Sequence, residues 1–471
     1  MKQNTILWHD YETFGADPKR DRPVQFAAIR TDEDLNEIDE PLMFYCAPAD
    51  DVLPAPMACL VTGITPQLAL ANGIPEVEFI KRVNAAFSVP GTCSAGYNTI
   101  RFDDEVTRNT LYRNLMDPYA REWKNGNSRW DIIDMVRTCY ALRPEGIEWP
   151  TREDGAPSFK LEHLTAANGL AHGQAHDALS DVRATIAMAK LIKEKQPRLY
   201  DYLYGLRSKR ELAKLIDVVK MQPLLHVSSK IPAAQGCCSW VLPLMFHPTN
   251  KNSIVVADLN CDPTPLLKMG TEQVLEALYA KADAGLYRPP LKLVHLNKCP
   301  VLAPAKMLTA ENAERLGIDR DACLQHLSWW RSNAQIKHTL SDVYEAPYEG
   351  HVDDVDLNLY QGFASNHDKA TMEVIHQTKV EDLPAITPNF EDPQLAELFF
   401  RFKARNYPHL LSEQEQLRWQ AFREKRLAAP NPYTLDIQTF SHELEALAME
   451  HQNNEKKMAI LHALYDYAQS L

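Results

Sequence analysis

Short apolar runs of strand length alternate with longer stretches at helical spacing over residues 1–195. Ile6, Leu7 and Trp8 open the first run. Residues 24–30 and 42–46 give two more, bounded by Asp, Asn and Pro, as successive strands of a meander would be. Residues 77–87 carry apolar side chains at helical spacing and stop before Pro90. Residues 92–97 predict another strand, leading through Asn98 into a helix that runs to Leu115. A fifth strand is expected over 130–135, with a helix behind it through Leu142. Residues 143–157, rich in Pro, Gly and charge, read as a loop. A short helix over 160–168, closed by Gly169, and a long one over 176–195, ended by Pro197, complete the segment. Three strands in series and then strand–helix units predict a mixed α/β sheet.

The pattern then changes. Residues 215–219, 240–246, 254–259 and 291–296 are short β-like runs separated by Pro, Gly and Asn, which predicts a small β barrel. Helices are expected near 272–282 and over 310–337, and 344–356 reads as a linker. From 357 onward the spacing is almost wholly helical, notably over 395–405, 413–427 and 436–471. No internal repeat is evident. The expected division is 1–196, 197–350 and 353–471, since 471 residues are too many for one core.

Composition adds boundaries to this picture. With 45% apolar and 24% charged residues the chain reads as soluble and globular. No apolar stretch reaches the length of a membrane span, and the first residues lack a secretory signal, so a cytoplasmic location is expected. The nine cysteines are scattered and include no C-x-x-C pair, which predicts buried free thiols, not disulfides or a zinc ribbon. A net charge of −13 argues against a protein that coats nucleic acid, but leaves room for a local basic groove.

The candidate chemistry begins where the first strand ends. Asp10 and Glu12 are two residues apart, so on a strand they project from one face. Carboxylates that close repel unless a cation sits between them, and hard oxygen ligands suit Mg²⁺ or Mn²⁺. Asp103 stands at a strand-to-helix junction and Asp181 inside the helix expected over 176–195. Each acid alone means little. Four carboxylates from three elements are what a two-metal phosphoryl-transfer site needs. His176 precedes Asp181 by five residues, about 140° around a straight helix, so both cannot face one site from the same helix. His176 is therefore expected on the lead-in loop, with Asp177 capping the helix. An imidazole there suits a general base.

Strand contacts are expected from side chains near these acids. Arg108 follows Asp103 by a rise of about 7.5 Å, within reach of phosphates. Tyr119, Trp123, Arg129 and Arg137 interleave aromatic and basic groups, as stacking on unpaired bases requires. Phe14 is expected either against a terminal base or in the core. Asp104, Asp131, Asp134 and Asp177 read as caps and surface charge. Asp354-x-Asp356-x-Asn358 begins like a calcium loop, but Leu359 and Ser365 occupy the positions where Gly and Glu are required. His442-Glu443 begins like a zinc-protease helix, but Ala446 stands where the second His belongs.

Asp10-x-Glu12-Thr13, Asn98-x-x-x-Phe102-Asp103 and His176-x-x-x-x-Asp181 together resemble the three motifs of the DEDDh exonuclease family. The strings at 97–105, 293–302 and 402–408, with the three-part layout, resemble the bacterial exonuclease I branch over essentially the whole chain. That resemblance implies an RNase-H-like exonuclease domain, an SH3-like barrel and a helical C-terminal domain. It implies 3′→5′ degradation of single-stranded DNA in DNA repair and recombination. It further implies two Mg²⁺ ions, replaceable by Mn²⁺, held by Asp10, Glu12, Asp103 and Asp181, with His176 as base and Glu12 also orienting the 3′ terminus. Lys160, in the loop or first turn before the third motif, is a further phosphate candidate and matches a basic position in the family. Docking to the C-terminal tail of single-stranded-DNA-binding protein, and a monomer, are expected on the same ground. The alternatives are a ribonuclease of the same class and a non-catalytic single-strand-binding scaffold.

Overall fold

The first sheet grows from β1 (Thr5–Thr13), β2 (Pro23–Thr31), β3 (Leu42–Cys46), β4 (Gly73–Ile74) and β5 (Thr92–Gly96), which lie in the order β4-β3-β2-β1-β5. β1 is antiparallel to β2 and parallel to β5. In this computed structural model the described residues are 4–170, 177–280, 285, 287–345, 353–428, 430–431 and 433–471. They fall into two compact units. One takes in Met1–Ser128, His172–Arg183 and Gly350–Leu471, the other Arg129–Ala171 and Ala184–Glu349. These units cut across the segments expected from composition, because composition marks linkers while packing decides which stretches share a core.

Within the first unit, alternation along β1 sends Leu7, His9 and Tyr11 to one face. Leu7 and Tyr11 join Phe26, Phe79, Ile80, Val83 and Phe87 in a core built against the helix Glu76–Phe87. Trp8, Asp10 and Glu12 belong to the opposite face. Phe14 is 5% exposed and packs with Val24, Leu53, Phe440, Leu444 and Leu461, so of its two expected places it takes the core. The C-terminal helices close on the same unit. Leu395, Leu398 and Phe402 pack with Val77 and Leu115. The helix expected over 436–471 is two, Ile437–His451 and Glu455–Ser470, broken where the Asn454 side chain accepts the Lys457 amide and caps the second. Two short helices that periodicity misses, Pro56–Thr62 and Pro66–Asn72, each start on a proline at the first turn.

Asp354 and Asp356 are buried among arginines. Arg405 holds Asp51 (2.7 Å) and Asp356 (2.5 Å), Arg401 reaches Asp354 (2.5 Å) and Asp356 (3.0 Å), and Arg426 holds Asp354 (2.5 Å). The residues that imitate a calcium loop are thus an ion-pair hub between the start and the end of the chain.

β6 (Ser128–Asp131), all but its first residue in the second unit, is shorter than the strand expected over 130–135. Asp131 Oδ1 accepts the Ile133 amide at 3.1 Å and starts the helix Ile133–Leu142. β7 (Leu224–Val227), β8 (Cys238–Phe246), β9 (Ser253–Asp258), β10 (Leu291–His295) and β11 (Val301–Pro304) form an antiparallel sheet in the order β10-β9-β8-β7-β11. No strand forms at 215–219. Asp217 Oδ1 accepts the amides of Val219 and Lys220 there, making a turn, and Val219 is 88% exposed. All cysteines but Cys261 and Cys299 are buried free thiols. Among the described residues, no helix is long and apolar enough to cross a membrane.

Candidate active site

The parallel partner β5 pairs with β1 only from Thr5 to Trp8, so the edge of β1 at Asp10–Glu12 is open on that side. Gly96, the last residue of β5, makes the close approach possible, since a Cβ there would lie 2.7 Å from the His9 carbonyl oxygen. The chain turns through Asn98, with φ of 66°, into the helix Asp103–Arg113. Asp103 Oδ1 then accepts the Tyr11 amide at 3.0 Å, the donor that a longer β5 would have taken. The Thr107 hydroxyl donates to the Asp103 carbonyl (2.8 Å), which leaves the Tyr11 hydroxyl to donate to Thr107 Oγ1 (2.9 Å). Tyr11 thus ties β1 to the helix Asp103–Arg113 at two points.

Asp181 comes from the first turn of the helix Ala178–Lys195. Its carboxylate oxygen and those of Asp10 and Glu12 all lie within 4.8 Å of one another, the group among the described residues able to hold a metal ion. Burial holds the Asp10 carboxyl well above the ordinary carboxylate range, and Asp181 and Asp177 push it the same way. Burial, then Asp10, Asp181 and Asp177, push Glu12 up to about 9. Asp103 is raised by burial and by Asp10. The donor set is all oxygen and of one sign, with Glu12 and Asp103 buried and Asp10 and Asp181 half-buried, which fits hard divalent cations such as Mg²⁺ or Mn²⁺. Asp177 caps the helix as expected, accepting the Ser180 amide at 3.2 Å, but it is also a further negative charge on the site. His176 lies outside the described residues.

The expected strand contacts separate. Trp123 is 67% exposed. Tyr119 is half-buried, with its ring 5.6 Å from that of Phe363 and the Arg108 guanidinium 5.4 Å from its centroid. Arg108 is not the open phosphate reader that its rise along the helix suggests. It is buried, and its guanidinium holds Glu122 and Glu105, so a phosphate would meet it in competition with two carboxylates. Asp104 is not surface charge either, since it is buried against Arg121 at 2.6 Å. Sequence separation hid both pairs, because partners 14 and 17 residues apart share no local pattern. In the second unit, Arg137 pairs with Asp134 at 2.6 Å beneath the Phe159 ring, and Arg129 donates to the Asn297 carbonyl at 2.7 Å. The Lys160 side chain is 70% exposed, with its ammonium 3.5 Å from Glu162.

Residues 7–189 match the family model described as Exonuclease, 207–346 that of the Exonuclease I SH3-like domain, and 353–471 that of the Exonuclease I C-terminal domain. Exodeoxyribonuclease I of Escherichia coli (strain K12) is 50% identical over 473 residues, covering 100% of this chain and 98% of the relative. Exodeoxyribonuclease I of Haemophilus influenzae is 47% identical over 472 residues, covering 99% and 98%. The crystal structure of E. coli Exonuclease I in complex with a dA16 oligonucleotide superposes with a TM-score of 0.96 at 50% identity, covering 99% of this chain and 100% of that one. A zinc-bound form of the E. coli enzyme with single-stranded DNA gives 0.95 at 50% identity, covering 100% and 99%. A structure of SSB/Exonuclease I with the inhibitor CFAM gives 0.93 at 49% identity, covering 100% of each chain. With its mixed-sheet exonuclease region, SH3-like region and helical C-terminus all matched, the chain belongs to the exonuclease I family.

Proposed function

We propose that this chain is a 3′→5′ exodeoxyribonuclease that hydrolyses single-stranded DNA to 5′-mononucleotides, acts processively and serves DNA repair and recombination. The observation that carries this reading is the convergence of Asp10, Glu12 and Asp181 within 4.8 Å, with Asp103 raised by burial and by its neighbour Asp10. Full-length similarity to enzymes named exodeoxyribonuclease I supports the substrate class.

In this reading Asp10, Glu12, Asp103 and Asp181 hold two Mg²⁺ ions, for which Mn²⁺ substitutes. When bound, such ions lower the pKa of water and stabilise the departing 3′ oxygen. His176 takes the proton of the attacking water. The water oxygen bonds to phosphorus, the bond to the 3′ oxygen breaks, and a 5′-mononucleotide leaves behind a strand ending in a 3′ hydroxyl. Glu12 also accepts a hydrogen bond from the terminal 3′ hydroxyl and so selects the end. Tyr119 and Trp123 form a stacking platform for unpaired bases, and Arg137 and Lys160 meet phosphates, whereas Arg108, its guanidinium engaged by Glu105 and Glu122, is left out of that set.

Three domains, 1–196, 197–350 and 353–471, a monomer and a cytoplasmic location complete the proposal. Docking to the acidic C-terminal tail of single-stranded-DNA-binding protein belongs to it too, supported by the solved structure of SSB/Exonuclease I with the inhibitor CFAM. Digestion of a 5′-labelled DNA oligonucleotide with Mg²⁺ and with EDTA tests the core of the reading. A ladder shortening from the 3′ end, lost in EDTA and absent in D181A and H176A, is expected. Equal digestion of the matching RNA would favour the ribonuclease, and cleavage that persists in EDTA would overturn the metal centre.

A further inference from the structure

Three stretches of the first unit meet at the Arg108 guanidinium. Nε and Nη2 donate to the two carboxylate oxygens of Glu122 (2.7 and 2.9 Å), and Nη1 donates to Glu105 (2.9 Å) and to the Tyr360 hydroxyl (3.2 Å). Next to Glu122 in the chain, Arg121 donates to Asp104 Oδ1 at 2.6 Å and lies 4.4 Å from the Phe87 ring centroid. Asp104 and Arg108 both belong to the helix that starts with Asp103. Each grips one residue of the turn Ala120–Glu122. Tyr119 and the exposed Trp123 flank that turn on either side. Before it, Asp117 Oδ1 accepts the amides of Tyr119 and Ala120 at 2.9 and 3.0 Å.

Side-by-side carboxylate–guanidinium bonds fix direction as well as distance. Buried pairs hold their geometry because separating them strands a charge away from water. We propose that Glu122 and Arg121 are positioning residues for the DNA strand. Through Arg108 and Asp104 they lock the platform of Tyr119 and Trp123 onto the helix that carries Asp103, which fixes the distance between stacked bases and the scissile phosphate. Neither residue touches the strand. The inference rests on Tyr119 and Trp123 being the stacking platform.

The test compares two substrates on the full chain: a long single-stranded oligonucleotide, which uses the platform, and a nitrophenyl ester of thymidine 5′-phosphate, which fills only the metal site. E122Q keeps the size of the side chain and removes its charge. Its KM for the oligonucleotide should rise about tenfold, as for the loss of one base–aromatic stack, with ester hydrolysis unchanged. E122D keeps the charge but shortens the reach, and should show an intermediate KM. If E122Q does not fold, a raised E122D KM with unchanged ester hydrolysis supports the clamp in its place. Equal loss on both substrates, or an unchanged oligonucleotide KM, would overturn the positioning role. W123A distinguishes failure of the platform from failure of the clamp. An unchanged oligonucleotide KM in W123A removes the platform itself, whereas a KM raised in W123A but not in E122Q removes only the clamp.

Discussion

Asp10, Glu12 and Asp103 are each held above the range where a carboxyl normally ionises, burial first and then a neighbouring carboxylate: Asp181 for Asp10, and Asp10 for Glu12 and Asp103. The consequence for stability has a definite sign. Glu12 moves from an ordinary 4.5 to about 9, so the folded chain binds its proton more tightly than the unfolded chain does. Such a group favours folding at low pH and loses that advantage as pH rises from 4.5 to about 9. Without divalent metal, the protein should therefore melt at a lower temperature at pH 8 than at pH 6. Added Mg²⁺ should remove most of that difference. D10N should melt above the wild type in EDTA, gain little from Mg²⁺ and lose about 10²–10³-fold or more in turnover. Thermal melts across pH with EDTA or Mg²⁺, beside a nucleotide-release assay, check all three. A D10N protein that melts below the wild type in EDTA would mean that the acids are not a repelling cluster.

At the scale of elements, the site depends on where β5 stops. Because β5 leaves β1 after Trp8, the Tyr11 amide is available to Asp103, and the helix is pinned to the strand. Gly96 stands at that divergence, where a Cβ would come 2.2 Å from the Thr99 side chain and 2.7 Å from the His9 carbonyl. The second contact is backbone and has nowhere to go. G96A should cost about 1–3 kcal/mol by overpacking, read in urea melts. It should also lower kcat, because the displaced His9 carbonyl is bonded directly to Asp10. Full turnover in a destabilised G96A protein would separate the divergence from the chemistry.

Across the first unit as a whole, Arg22, Asp51, Asp354, Asp356, Arg401, Arg405 and Arg426 join the beginning of the chain to its end. Burial alone would raise Asp51, but Arg405, Arg22 and Arg426 outweigh it and hold it at about 2. Asp356 lies well below the ordinary range, its burial outweighed mainly by Arg405. For carboxylates depressed in the folded state, the contribution is complete above the unfolded value near 3.9 and fades as pH falls toward 2. D356N should therefore lose about 3–5 kcal/mol at neutral pH, because it leaves arginines buried without their partner. The gap between D356N and the wild type should narrow between pH 4 and pH 2. Urea unfolding across pH measures it, and a gap that widens in acid would contradict the hub.

The local pattern determined much of this protein. Apolar runs bounded by turn residues located β1, β2, β3 and the helix Glu76–Phe87, because strand and helix periods are properties of neighbouring residues. The spacing of Asp10 and Glu12 placed them on one face, since strand geometry alone dictates it. Tertiary structure decided what depends on long-range packing: that 215–219 turns instead of forming a strand, that Phe14 joins the core, that Asp354 and Asp356 meet arginines, and that Arg108 is held by Glu122. No periodicity encodes those choices. A buried charge takes its partner from whichever stretch the fold brings alongside, and only the folded chain specifies that stretch.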